Sequence, residues 1–121
     1  MPKILVVGDL MMDHYIWGSC ERISPEAPVQ VVLKNSESKR LGGCGNVISN
    51  LIALGADTGV ISVLGDDETG RQISKLLDEC GAKSELVLKE RGRKSSQKSR
   101  IIVSHQQVLR LDTESVQEIT L

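Results

Sequence analysis

Apolar residues run unbroken from Ile4 to Val7 and stop at Gly8-Asp9. A short run of this kind, closed by Gly-Asp, predicts a central β-strand buried on both faces. Residues 10–26 mix apolar, polar and turn-forming side chains and read as a stretch broken by loops. Val29 to Leu33 is rich in β-branched residues and follows Pro28, which predicts a strand with an edge-like start. The polar run Asn35 to Arg40 predicts a turn and a short return strand.

From Cys44 the period changes. Val47, Leu51 and Leu54 recur at helical spacing, and Ile48 and Ile52 widen the stripe, so a helix is expected over 44–54. Gly42-Gly43 precedes it, and Gly55 follows as a left-handed cap. Thr58 to Leu64 is a second apolar strand, closing in Gly65-Asp66. Ile73, Leu76, Leu77 and Cys80 mark a second amphipathic helix, capped by Asp66 or Asp67 and ended by Gly81. Strand, helix, strand, helix is the signature of an α/β fold with a parallel sheet. Beyond Lys83 the pattern shifts again. Lys98 to Val103 and Val108 to Asp112 predict an antiparallel hairpin outside that sheet, and Val116 to Leu121 opens a further element.

A chain of 121 residues suffices for one domain with a single core. Aromatic residues are scarce, with one Trp, one Tyr and no Phe, so the core must be built from aliphatic side chains. That scarcity also argues against a stacking platform for single-stranded nucleic acid. A net charge of -1 gives no long-range pull on nucleic acid or an anionic membrane, so neither partner is expected and any anion site must be local. Cys20, Cys44 and Cys80 are odd in number and lack Cys-x-x-Cys spacing, which reads as reduced thiols in a cytosolic protein. The apolar run at the N-terminus is too short for a signal peptide or a membrane span.

Two constellations could carry chemistry. The first is Asp9 and Asp13, just past the carboxyl end of the first strand, where ligands of open α/β sheets gather. A carboxylate there can accept paired hydrogen bonds from vicinal hydroxyls; it can equally cap a loop or stand in solvent. The second is Gly42-Gly43-Cys44-Gly45-Asn46, which opens a helix. Missing Cβ atoms let a ligand approach the backbone, free N–H groups favour oxygen ligands, and Asn46 can both donate and accept. A tight strand-to-helix turn explains the glycines equally well. The spacing fits neither a P-loop nor the dinucleotide-binding fingerprint. The acids of Gly65-Asp66-Asp67-Glu68 read as helix capping before metal binding. His14 and His105 stand alone and receive no catalytic role, and the basic, Ser-rich stretch from Arg91 to Arg100 reads as a solvated loop and strand edge.

Taken in order, Val-Val-Gly-Asp-Leu-Met-Met-Asp (6–13), the di-glycine with Asn46, Leu-Gly-Ala (54–56) and Val-Leu-Gly-Asp-Asp-Glu-Thr-Gly (63–70) resemble the N-terminal signature of ribokinase-like, PfkB-type sugar kinases. Arg22-Ile-Ser-Pro-Glu-Ala-Pro-Val (22–29) and Gln-Gln-Val-Leu-Arg-Leu-Asp (106–112) are similar to the heptose-7-phosphate kinase branch of that family. The resemblance covers essentially the whole chain.

It implies a Rossmann-type parallel sheet with flanking helices and a small antiparallel β lid, formed by about 14–41 and 96–112, that often pairs between subunits as a homodimer. It implies that Asp13, Gly42, Gly43 and Asn46 line a sugar pocket, with Asp9 beside it. Arg22, Lys98 and Arg100, in the two lid segments, become candidates for a substrate phosphate. Cys44 stands where Ala or Gly is common. The family's catalytic base and its ATP site lie in a C-terminal half for which this chain has no counterpart. The chain is therefore expected to be the sugar-binding part of a kinase using ATP and Mg2+. A ribokinase-like kinase for another sugar or for a nucleoside, and a non-catalytic sugar-binding or dimerisation module, are the alternatives.

Overall fold

A computed structural model of the chain describes residues 1–119 except Ser24 and Ala27, with nothing described of the side chains of Glu21 and Arg22. The elements run β1 (Lys3–Val7), β2 (Leu10–Ile23), β3 (Gln30–Gly43), α1 (Cys44–Ala53), β4 (Asp57–Gly65), α2 (Glu68–Cys80), β5 (Lys83–Glu90), β6 (Ser96–Val103) and β7 (Gln106–Thr113). They form two sheets. One is parallel and three-stranded, in the order β1-β4-β5, and the other has four strands in the order β3-β2-β6-β7.

The α/β expectation holds, and the apolar runs explain why. Thr58, Val60 and Leu64 of β4 are buried, and Ile48 of α1 and Ile73 and Leu77 of α2 are buried with them. Full burial of each such aliphatic side chain contributes roughly 1.5–3 kcal/mol. Leu10 and Met12 at the root of β2 belong to the same core, so the four-stranded sheet is anchored at its base. A buried hydrogen bond from Leu10 N to Ser62 Oγ, 3.3 Å, ties that root to β4.

Both helices end as their sequences require. After α1, Gly55 N donates to Ile52 O and Ala56 N to Leu51 O, with Gly55 left-handed at φ 91°. Gly81 repeats the arrangement after α2 at φ 87°. The stripe on α1 is rotated from its expected centre: Ile48 points inward, whereas Val47 and Leu54 are exposed. The helix has apolar residues on two sides, and periodicity alone does not choose between them.

Several expectations need correction. β1, expected as a central strand buried on both faces, is an edge strand of the parallel sheet with Leu5 and Val7 exposed. Leu10 to Ile23, within the stretch expected to be broken by loops, is one strand of 14 residues, β2. Asn35 to Arg40 does not turn back but continues β3 straight to Gly43. Lys83 to Glu90, for which no element is expected, is a strand, β5, parallel to β4. The outer sheet is also not wholly antiparallel, because its central strands β2 and β6 run parallel. Each of these two strands leaves the carboxyl end of a parallel strand, β1 or β5, and therefore enters the outer sheet in the same direction. The polar half of β3 is mostly exposed on both faces, so the alternation that reveals a half-buried strand is missing there. The antiparallel hairpin of β6 and β7 forms as expected.

Candidate functional site

The chain leaves β1 through Gly8-Asp9, and β3 returns to the same point before starting α1. Leu10 pairs with Gly43, Met11 with Gly42 and Asp13 with Arg40. Gly43 adopts φ 58°, and a Cβ there would stand 2.5 Å from Asp9 O and 2.8 Å from Met11 Cε. Only glycine fits this position. Cys44 N then donates to Asp9 O at 2.9 Å, so strand passes to helix with no intervening loop. Gly42 has a different reason. A Cβ on it would lie 2.6 Å from the Asp13 carboxylate, which covers the glycine's open face.

Alternation along β2 puts Asp13, Tyr15 and Trp17 on one face. Asp13 is flanked in register by Arg40 of β3 and Lys98 of β6, and Tyr15 by Ser38 and Arg100. Arg100 Nη1 donates to Asp13 Oδ1 at 3.3 Å, with both side chains about a fifth exposed, at 22% and 23%. The Arg100 and Arg40 guanidinium carbons lie 5.4 and 5.6 Å from the Tyr15 ring centre. Trp17 stacks on the same ring at 5.8 Å. Neither Arg40 nor Lys98 forms an ion pair with another described residue. Three cations therefore surround one carboxylate, a local excess of positive charge on a chain whose net charge is -1. Ser38 adds a buried Oγ with no hydrogen-bond partner among the described residues.

The structure thus gathers Asp13, Gly42, Gly43, Lys98 and Arg100. Asn46 is exposed in the first turn of α1 and borders a shallow depression with Arg40, Leu41 and Ser49. Asp9 is exposed and borders a separate cleft of about 470 Å³ with Met11, Val63, Arg93 and Ser95. Arg22 pairs with Val31 nine residues further along β2, on the order of 30 Å from Asp13 for an extended strand. Its side chain lies outside the described residues. Arg40 and Tyr15 were not anticipated; strict alternation along 13-15-17 is the signal that would have found Tyr15.

Burial, with the charge of Asp9 behind it, pushes the Cys44 thiol up to about 11. The thiol stays protonated and acts as packing against Gly8, whose Cβ would lie 3.1 Å from Cys44 Cβ.

Residues 1–120 match the model of the pfkB family carbohydrate kinases. The chain belongs to the pfkB family. It is 71% identical over 119 residues to the bifunctional protein HldE of Campylobacter fetus subsp. fetus, covering 98% of this chain and 26% of that protein. Against the bifunctional protein HldE of Sulfurimonas denitrificans the identity is 55%, over 98% of this chain and 25% of the relative. The chain therefore spans about a quarter of the length of these curated relatives. Among solved structures, a carbohydrate kinase from Agrobacterium tumefaciens superposes with a TM-score of 0.75 at 25% identity, covering 93% of this chain and 36% of the other. Arabidopsis thaliana ribokinase, solved with ribose and ATP, gives 0.69 at 20% identity, over 94% and 35% of the two chains, and shares the fold.

The acidic motif of this pfkB chain is structural. Asp67 caps α2, accepting from Gly70 N at 2.8 Å and from Ser95 N and Oγ at 2.8 and 2.7 Å. Burial raises its pKa, but these hydrogen bonds and Arg71 outweigh burial and hold the carboxyl below its ordinary value. Asp66 and Glu68 both face Arg71, at 3.6 and 3.2 Å. Gly65 is needed because a Cβ would meet Arg93 O at 1.9 Å. Among the described residues no three acidic, His or Cys side chains gather in one place. No helix among them is long and apolar enough to cross a membrane.

Proposed function

We propose that the full-length protein is an ATP-dependent kinase that phosphorylates D-glycero-β-D-manno-heptose 7-phosphate at its anomeric hydroxyl. The product is the 1,7-bisphosphate, an intermediate of ADP-heptose and lipopolysaccharide core synthesis in the cytoplasm. The observation that carries this reading is the Asp13 carboxylate lying over Gly42 among Arg40, Lys98 and Arg100. High identity to proteins named HldE supports it.

In this reading Asp13 accepts hydrogen bonds from sugar hydroxyls, and the bare Gly42-Gly43 backbone lets the ring approach. The cations receive the substrate phosphate; guanidinium groups suit it because they donate in pairs to its oxygens. A neutral sugar would leave that positive charge unanswered. Asn46, at the start of α1, reaches the sugar only from the side of Arg40. The outer sheet acts as the lid, and its edges β3 and β7 are available for pairing in a homodimer.

Phosphoryl transfer depends on positioning and electrostatic stabilisation, and this chain supplies positioning. ATP and Mg2+ are held by other parts of the protein, and the base that takes the hydroxyl proton lies there too. Incubating the full-length protein with ATP and heptose 7-phosphate, followed by phosphorus NMR, tests the reading. A new anomeric phosphate signal supports it. ADP release with another sugar but none with heptose 7-phosphate refutes it.

A further inference from the structure

Arg40 and Arg100 come from strands on opposite sides of β2 and converge on one ring. Two solvated guanidinium groups repel, and long side chains of this type ordinarily spread into water. Arg100 has Asp13 to hold it, at 3.3 Å. Arg40 has no carboxylate among the described residues, yet its guanidinium carbon stays 5.6 Å from the Tyr15 ring centre. The electron-rich face of an aromatic ring attracts a cation and offsets the repulsion between two. The ring is itself fixed, because Trp17 stacks on it at 5.8 Å with the planes 18° apart. Beside it, Ser38 keeps its buried Oγ without a partner among the described residues.

We infer that Tyr15 is a specificity-determining positioning residue: it holds Arg40 and Arg100 as a ready-made guanidinium pair, and so sets the preference for a phosphorylated over a neutral sugar. The inference rests on the reading of the Asp13 cluster as the substrate site, and it brings Arg40 into that site. Tyr15 acts through the two arginines. A pair held in place before binding loses less freedom when the phosphate arrives, which is the general benefit of preorganisation. The phenol oxygen has no part in this, and the ring has all of it.

The test uses the full-length protein with heptose 7-phosphate and with the same heptose lacking its phosphate. Tyr15→Leu should raise KM for the phosphorylated sugar by about tenfold, the scale of one or two partly shielded cation–ring contacts, with kcat little changed. Binding of the neutral heptose should move less than about twofold, and Tyr15→Phe should behave as wild type. Adding Tyr15→Leu to Arg40→Gln should cost less than Tyr15→Leu costs alone, because the two residues act in one path. Should Tyr15→Leu fail to fold, Tyr15→Thr keeps the strand preference and serves the same comparison.

Equal losses for both sugars in Tyr15→Leu, or damage in Tyr15→Phe matching that in Tyr15→Leu, would overturn the inference. Arg40→Gln and Arg100→Gln separate its failure from that of the underlying reading. If both charge removals leave the preference for the phosphorylated sugar intact, the site reading itself falls. If they abolish it while Tyr15→Leu does not, only the role of Tyr15 falls.

Discussion

Asp13 lays its carboxylate across the open face of Gly42, 2.6 Å from where a Cβ would stand. The contact links the two constellations that stand 29 residues apart in the sequence, and it makes the glycine a condition for the carboxylate's position.

Gly42→Ala should therefore displace Asp13 and break its contact with Arg100. We expect KM for the sugar substrate to rise about tenfold or more, the scale of one lost polar contact, with KM for ATP unchanged. Steady-state kinetics on the full-length variant checks this. Unchanged kinetics would show that the carboxylate has room the structure does not give it.

Asp67 gives a pH-dependent prediction. Its folded pKa is depressed, so its contribution is fully present above the ordinary carboxylate pKa and is lost as pH falls through the lowered folded value. Asp67→Ala removes the cap of α2 and the anchor of Ser95, and should cost about 1–2 kcal/mol at neutral pH. Thermal melts should show the gap between wild type and variant narrowing as pH drops below about 4. A gap that stays constant in acid would contradict the assignment.

The legibility of the sequence followed burial. β4 and the two helices are read from apolar runs because they form the core, with Val60, Ile48, Ile73 and Leu77 buried, whereas the apolar run of β1 lies at the sheet's edge with Leu5 and Val7 exposed. In the outer sheet the β6–β7 hairpin was legible, whereas the polar half of β3 was not, because solvent reaches both of its faces and leaves no period to read. The same blindness hid Arg40, which sits in a polar run that resembles a turn. Asp13 and the di-glycine were legible as motifs, but their contact depends on the register Met11–Gly42, which no local pattern specifies. Asn46 was legible as a helix opener, and it borders a depression that Arg40 also lines.

Among the described residues nothing covers one face of the parallel sheet. Leu5 and Val7 of β1 and Leu86 and Leu88 of β5 are 55%, 70%, 56% and 60% exposed, and Val7, Ile61 and Leu86 lie in one row across the strands. A continuous apolar surface of this kind drives association. Residues 1–121 prepared alone should assemble into dimers or larger species at micromolar concentration, without turning over ATP. Light scattering reads the first outcome and a coupled ADP assay the second; a stable monomer with kinase activity would contradict both.

The central claim is that the Asp13 cluster binds a phosphorylated sugar, and calorimetric titration of the full-length protein with heptose 7-phosphate tests it most directly. Asp13→Ala should weaken binding of the sugar at least tenfold, about 1.4 kcal/mol, with nucleotide binding unchanged. Affinity for heptose 7-phosphate equal to that of the wild type would place the substrate elsewhere and contradict the account.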